Sequence, residues 1–391
     1  MGARDGGVRG EGMLNLPEGG MFVGRAWRRG IGPAVVTLRG KDVVDITTRD
    51  APTMRDLLEQ EDISGFIEAI PGEVIGSIDA LAQASIEATG GITRLIAPVD
   101  LQAVKACGVT FARSMVERVI EERAGGDPAR AEAVRVRVAA VIGDSLRDLV
   151  PGSDAAAEVK RLLQKEGLWS QYLEVGIGPD AEVFTKAQAM AAVGWGASVG
   201  LHPVSQWNNP EPEVVLVMDS TGRIVGATLG NDVNLRDVEG RSALLLGKAK
   251  DNNAAASLGP FIRIFDDGFT LDDVRRMELS LTVKGEDGFV LEGRSSMSEI
   301  SRDPADLVAQ ARGRHHQYPD GFVLYCGTMF APVRDRDAPG QGFTHHLGDV
   351  VTITAAELGS LTNTVRLATE APEWTFGAGA LMRNLASRGL L

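Results

Sequence analysis

Cysteine is nearly absent from this 391-residue sequence, with Cys107 and Cys326 its only two. That excludes a disulfide framework and a cysteine-built zinc site and suits a reducing compartment; both residues read as small apolar side chains in a core. Aromatic residues make up 5%, too few for a platform on which nucleobases stack. Basic residues number 40 against 53 acidic ones, and the net charge of -13 would repel a phosphate backbone. No apolar run approaches the ~18 residues of a membrane span. The opening MGARDGGVRGEG has no apolar segment of the signal-peptide kind. Neither a phosphate-cradling G-x-x-x-x-G-K motif nor a dinucleotide fingerprint occurs. Nucleic acid, membrane and nucleotide therefore drop out as expected partners, which leaves a soluble, cytoplasmic protein acting on a small molecule as the expectation.

What is present is a chain long enough, at 44% hydrophobic, for one large domain with a smaller companion. From Met21 to Thr47, β-rich runs such as AVVTLRG alternate with glycine, and MRDLLEQ and SIDALAQASIEA follow as helices. This predicts a small β-rich N-terminal domain over residues 1–100, with residues 101–391 as the larger unit. A helical insertion is expected at about 112–172. Its first helix is amphipathic from Ala112 to about Arg123 and closed by Gly125, and more helical pattern runs from Pro128 to Glu166. Beyond Glu174 the texture turns to short β runs with glycine turns, interrupted by a helix that Asp303-Pro304 would start and ended by the helical tail LMRNLASRGLL. The fold class is α+β and strand-rich.

The segment PEPEVVLVMDSTGRIVGATLGND holds a turn signal, Asp219-Ser220-Thr221-Gly222, between two β-branched runs, so an antiparallel hairpin is predicted. With the turn centred between Ser220 and Thr221, Glu213 falls opposite Thr228 and Glu211 opposite Gly230, and Asp232 lies just past the open end. Residues two apart on a strand share a face, so Glu211 and Glu213 project together. Three carboxylates meeting at one mouth would repel each other and rise in pKa. A hard divalent cation, which takes oxygen ligands, removes that cost. By spacing alone, however, an E-x-E with a later aspartate is more often a solvated strand face.

Other patterns carry less. Gly196-Ala197-Ser198-Val199-Gly200 matches G-x-S-x-G, but that motif needs a strand before it and a helix after it, and LHPVSQWNNP follows. His315-His316 and His345-His346 lack spaced partners and read as surface or hydrogen-bonding histidines. Ser296, Ser298 and Arg302 precede a helix, where they could bind a substrate's carboxylate or hydroxyls or simply cap the helix.

Several separated motifs change the weight of the carboxylates. Glu211-Pro212-Glu213, LGND with Asp232, NLRD with Arg236, KAKDNN with Lys250, SLGPFI, CGT at Cys326 to Thr328, and LGDVV follow one another between about Ala181 and Ile353. Their order and spacing resemble the fumarylacetoacetate hydrolase family. Within it, AEVFTKA, SQWNNPEPE, KAKDNNAAASLGPFI and SSMSEISRDP look most like the branch that dehydrates 2-keto-3-deoxy-pentonates (arabinonate or xylonate) to 2,5-dioxopentanoate. The resemblance implies a mixed β-roll or barrel-like catalytic domain, one Mg²⁺ or Mn²⁺ on Glu211, Glu213 and Asp232, and association as a homodimer or homotetramer. It also implies Lys250 as a catalytic group, Glu182 as a base and Thr328 as a contact for the substrate carboxylate, with Arg236 and Ser298 as further substrate-binding candidates. For Arg236, an ion pair with Asp237 or Glu239 is the plainer reading.

The sequence departs from the wider family where its hydrolases carry a stretch resembling G-x-N-Y-x-x-H: here it reads GVTFARSM, without a histidine. That argues against the alternative of a hydrolase or decarboxylase of acylpyruvates or 2,4-diketo acids. NNAAASLGP also lacks the hydroxyl and thiol residues that some dehydratases place before SLGP. A non-catalytic, ligand-binding member of the fold is the alternative from another class. A metal-chelated 2-oxo acid would have an acidic C3 proton for Glu182 or Lys250 to take.

Overall fold

The computed structural model describes residues 14–86, 91–131, 133–134, 149–165, 167, 169–329, 332 and 334–391. The opening dozen residues and much of the expected Pro128–Glu166 helical run lie outside them. Sixteen strands follow in order: β1 Phe22–Arg28, β2 Gly32–Arg39, β3 Asp42–Asp45, β4 Glu73–Ser77, β5 Arg94–Ile96, β6 Ala103–Gly108, β7 Glu182–Ala187, β8 Ser198–Leu201, β9 Pro212–Met218, β10 Ile224–Asp232, β11 Ala256–Ile264, β12 Glu278–Lys284, β13 Val290–Ser296, β14 Phe322–Tyr325, β15 Val350–Ala355 and β16 Gly359–Leu367. Among the described residues they form two sheets. The larger runs β4-β3-β2-β1-β11-β10-β9-β14-β6-β7, with β5 also on β1, and the smaller runs β13-β12-β15-β16-β8. The architecture is α+β and strand-rich. The strands of residues 1–100 join the larger sheet through the antiparallel β1–β11 pair.

From Val214 to Met218 β9 reads as an unbroken apolar run because both of its faces are buried. Val214, Leu216 and Met218 enter one core, shared with Leu281, Val283, Ile353 and Leu361 of the smaller sheet. Val215 and Val217 enter another, on the side covered by the helices Met54–Leu58 and Ile63–Ala69. The amphipathic helix runs Ala112–Ala124 and ends on Gly125 in the left-handed region (φ 66°), the C-terminal signal expected of that glycine. Its Met115, Val119 and Ile120 pack with Tyr172, Leu173 and Ile177 of the helix Gln171–Ile177 in a third core.

The β9–β10 hairpin forms, but its register differs from the one expected. Glu213 lies opposite Gly230, and the Asp232 N–H donates to the Glu211 carbonyl at 3.0 Å. Two local features cause the shift. The Asp219 carboxylate accepts from the Thr221 N–H, the Thr221 hydroxyl and the Arg223 N–H, widening the turn to Arg223, and a bulge follows between Ile224 and Gly226. Because the slip is two residues, every side chain keeps its face. Asp232 ends β10 directly across from Glu211, inside the ladder rather than beyond it.

Candidate metal centre

Three carboxylates meet at the open end of this hairpin. Glu211 and Glu213 flank Pro212 at the start of β9, Asp232 closes β10, and all three are buried. One carboxylate oxygen from each lies within 4.8 Å of the others, and among the described residues this is the one group of three or more potential ligands so arranged. The His345 ring is buried and hydrogen-bonds Asp349 at 3.1 Å, while His346 meets Asp287 and Asp337. Ser198 opens the strand β8, parallel to β16, so this serine does not stand at a strand-to-helix elbow.

Lys250 ends the helix Leu246–Lys250 and sends its Nζ to Glu211 Oε2 (2.6 Å) and Asp232 Oδ2 (3.1 Å). Burial works against its charge, but Asp232 and Glu211 outweigh burial and hold the ammonium above the ordinary lysine pKa. Lys186 of β7, fully buried, pairs with Asp232 Oδ1 at 2.7 Å and donates to the carbonyls of Lys250 and Val233. Desolvation favours a neutral Asp232, yet Lys186 and Lys250 keep it below the usual carboxylate range. Arg118, on the long helix, contacts Glu211 Oε1 and also pairs with Glu121 (2.6 Å) and Glu239 (3.3 Å). Spacing gave no sign of Arg118 or Lys186. The available signal was a charge on an apolar stripe, since Arg118 lies three residues from Met115.

Glu213 is different. Its Oε2 accepts the Gly327 N–H at 2.7 Å, but no ion pair within 4.0 Å reaches it among the described residues. Burial, then Asp232 and Glu211 beside it, push its pKa well above the carboxylate range. With every group ionised, six carboxylates (Glu121, Glu182, Glu211, Glu213, Asp232, Glu239) surround four cations (Arg118, Lys186, Arg236, Lys250), a formal excess of two negative charges that the upward pKa shifts of Glu213, Glu182 and Glu121 reduce. An all-oxygen donor set with that excess fits a hard divalent cation.

Glu182 opens β7 opposite Gly108, the last residue of β6, and burial followed by the charge of Glu239 raises its carboxyl to about 7. A Cβ at position 108 would stand 1.9 Å from Glu182 Oε2, so glycine leaves that carboxylate its place. Thr328 is buried directly after Gly327, whose φ of 98° suits glycine and turns its N–H onto Glu213. Arg236 is also buried. It pairs with Glu121 at 3.0 Å, donates to the Pro332 carbonyl and lies over Trp207. Neither Asp237 nor Glu239 is its partner: Asp237 is taken by Ser205 and the Gln206 N–H, and Glu239 by Arg118. The Ser298 hydroxyl meets Ser296, which caps the short turn Met297–Glu299, and none of its described hydrogen bonds reaches the carboxylates. Arg302 braces the carbonyls of Val175 and Gly178. Both cysteines are buried and free.

Residues 178–366 match the family described as fumarylacetoacetate (FAA) hydrolase C-terminal. Among curated relatives, a probable 2-keto-3-deoxyxylonate dehydratase of Haloferax volcanii is 32% identical over 52% of this chain and 66% of its own length. A 2-dehydro-3-deoxy-D-arabinonate dehydratase of Saccharolobus solfataricus is 30% identical over 47% of this chain and 58% of its own. In both cases the matched part spans less than two thirds of the relative. Among solved structures, a 2-keto-3-deoxy-D-arabinonate dehydratase complexed with magnesium and 2,5-dioxopentanoate superposes over 89% of this chain and 98% of that one, with 22% identity and a TM-score of 0.59, which shows a shared fold. Residues 178–366, just under half of the chain, thus carry its likeness to the fumarylacetoacetate hydrolase family.

Proposed function

We propose that this chain is a Mg²⁺-dependent hydro-lyase that converts a 2-keto-3-deoxy-pentonate, arabinonate or xylonate, to 2,5-dioxopentanoate and water. One observation carries the reading: a buried three-carboxylate cluster stands beside a lysine whose ammonium form Glu211 and Asp232 favour and a glutamate whose carboxyl is held near neutrality. The two curated relatives named as dehydratases of such acids support it, as does the magnesium and 2,5-dioxopentanoate in the structural neighbour.

Glu211, Glu213 and Asp232 would hold the ion. Bound there, Mg²⁺ would supply Lewis acidity toward the substrate's 2-keto group, making the C3 hydrogens easier to remove. Glu182 takes the C3 proton, because a base with a pKa near the working pH combines strength with a useful ionised fraction. Lys250 remains an ammonium and balances the negative charge that develops on the substrate. The C4 hydroxyl departs as water with the proton that Glu182 took from C3, after which a C5–H proton passes to C3 and the C5 hydroxyl proton to C4, leaving the aldehyde at C5. Thr328 holds the substrate carboxylate. For Arg236 and Ser298, their pairing with Glu121 and Ser296 supports a structural role.

The same reading makes residues 101–391 the catalytic unit and 1–100 the smaller one, since all the site residues follow position 101. It also assigns a homodimer or homotetramer, which sedimentation velocity would check. Mn²⁺ is expected to substitute for Mg²⁺. The test is a panel of 2-keto-3-deoxy pentonates and hexonates with EDTA and Mg²⁺ controls, monitoring aldehyde formation. The reading predicts aldehyde from a pentonate only with Mg²⁺. Pyruvate released from a diketo acid, or inactivity across the panel, would reject it.

A further inference from the structure

Each of the three carboxylates has one oxygen already engaged by a group outside the cluster. Arg118 holds Glu211 Oε1, Lys186 holds Asp232 Oδ1 at 2.7 Å, and the Gly327 N–H holds Glu213 Oε2 at 2.7 Å. These holders come from three separate places, the long helix, β7 and the loop after β14, and each is itself anchored. Arg118 is gripped by Glu121 and Glu239, Lys186 donates to two carbonyls, and Gly327 is backbone. One oxygen per carboxylate remains, and two of these, Glu211 Oε2 and Asp232 Oδ2, converge on the same ammonium of Lys250.

Resting on the divalent-metal reading above, we infer that Arg118 and Lys186, with the Gly327 N–H, set the metal specificity of this site by confining every ligand to one-oxygen coordination. Mg²⁺ requires near-octahedral geometry at 2.0–2.1 Å and accepts single oxygens with water or substrate in the remaining positions. Ca²⁺ takes 6–8 oxygens at 2.3–2.6 Å, often two from one carboxylate. Three single oxygens would leave a bound Mg²⁺ free to take further oxygens from water or a 2-oxo acid. Either ion must share or displace the Lys250 contact, but to give Ca²⁺ its higher coordination Glu211 or Asp232 must also release Arg118 or Lys186. Arg118 is thus a positioning residue: it contacts the ligand, not the reacting atoms.

The experiment is calorimetric titration of Mg²⁺ and of Ca²⁺ into EDTA-stripped wild type, Arg118→Gln and Arg118→Lys. Wild type is expected to bind one Mg²⁺ and to prefer it to Ca²⁺. In Arg118→Gln, Mg²⁺ affinity should fall ~10–100-fold, the usual effect of removing a group that orients a metal ligand, while Ca²⁺ affinity falls less or rises, so the Mg²⁺/Ca²⁺ ratio collapses. Arg118→Lys, which retains charge but not the fork, should lie between. An unchanged ratio in variants that still bind metal would overturn the inference and leave the metal reading standing. Absence of Mg²⁺ binding to wild type would overturn both. Infrared difference spectra of the wild-type protein give a readout free of any folding defect. Mg²⁺ should produce only the wide carboxylate stretching separation of single-oxygen binding, and a narrow, two-oxygen separation would refute the inference.

Discussion

Gly108→Ala tests the assignment of Glu182 as the base without altering any titratable group. An added Cβ would stand 1.9 Å from Glu182 Oε2 and 2.7 Å from its Cδ, whereas real Cβ contacts essentially never fall under 3.0 Å, so the carboxylate must retreat by about 1.1 Å. Gly108 is not in the left-handed region, so the alanine backbone fits, and the atoms that must move are the free end of a side chain. The cost in stability should therefore be small, offset by the ~0.4–1 kcal/mol that Gly→Ala gains by restricting the unfolded chain. Catalysis should suffer far more, because misplacing a reacting group by about 1 Å can lower the rate ~10²-fold. Removing the base with Glu182→Gln should lower kcat by ~10²–10⁴. Steady-state aldehyde formation and thermal melts, read side by side, decide the matter. The shorter carboxylate of Glu182→Asp, introduced into Gly108→Ala, should recover part of the loss. An unchanged kcat in Gly108→Ala with an unchanged melt would refute the proton-transfer role of Glu182.

Other expectations follow from the same geometry. In Lys250→Met two buried carboxylates lose their shared cation, which should destabilise the metal-free protein by ~3–5 kcal/mol, and Mg²⁺ should restore more stability to this variant than to wild type, as urea melts would show. Because Glu182 must be ionised to act, kcat/KM should rise with pH through a midpoint near 7, and Glu182→Gln should lose that limb. The same raised pKa means that the folded chain holds this proton more tightly than the unfolded chain does. The stability it contributes is therefore full below about 4.5 and is lost as pH rises to about 7, a trend that Glu182→Gln should flatten. In Asp219→Ala four acceptor bonds of the β9–β10 turn disappear, one of them from the Arg223 guanidinium, and a loss of ~1–3 kcal/mol with unaltered Mg²⁺ affinity would confirm that turn chemistry, not the metal, sets the register.

Much of the site was legible because it is local. Alternation placed Glu211 and Glu213 on one face, and the turn signal brought Asp232 back to them. That conclusion survived a wrong register because a two-residue slip preserves the face. The slip itself was hidden in side-chain hydrogen bonds of Asp219 and in a bulge, neither of which periodicity encodes. Glu182, Lys250 and Thr328 were reachable only through the motif resemblance, since no spacing rule links them to the hairpin. No spacing rule links Arg118 or the Gly327 N–H to the hairpin: they arrive from 93 and 114 residues away, delivered by helix packing and by the crossover that sets β14 beside β9, and the charge on an apolar stripe marks Arg118 as buried without naming its partner. Charge pairing among such distant groups depends on topology, as the pair of Arg236 with Glu121 also shows.

The account stands or falls on what Glu211, Glu213 and Asp232 hold. A crystal grown with Mn²⁺ in place of Mg²⁺ and measured at the manganese absorption edge locates the ion directly. The account predicts one anomalous peak per chain, bonded to an oxygen of each of the three carboxylates. A peak elsewhere, or none at saturating Mn²⁺, would contradict it.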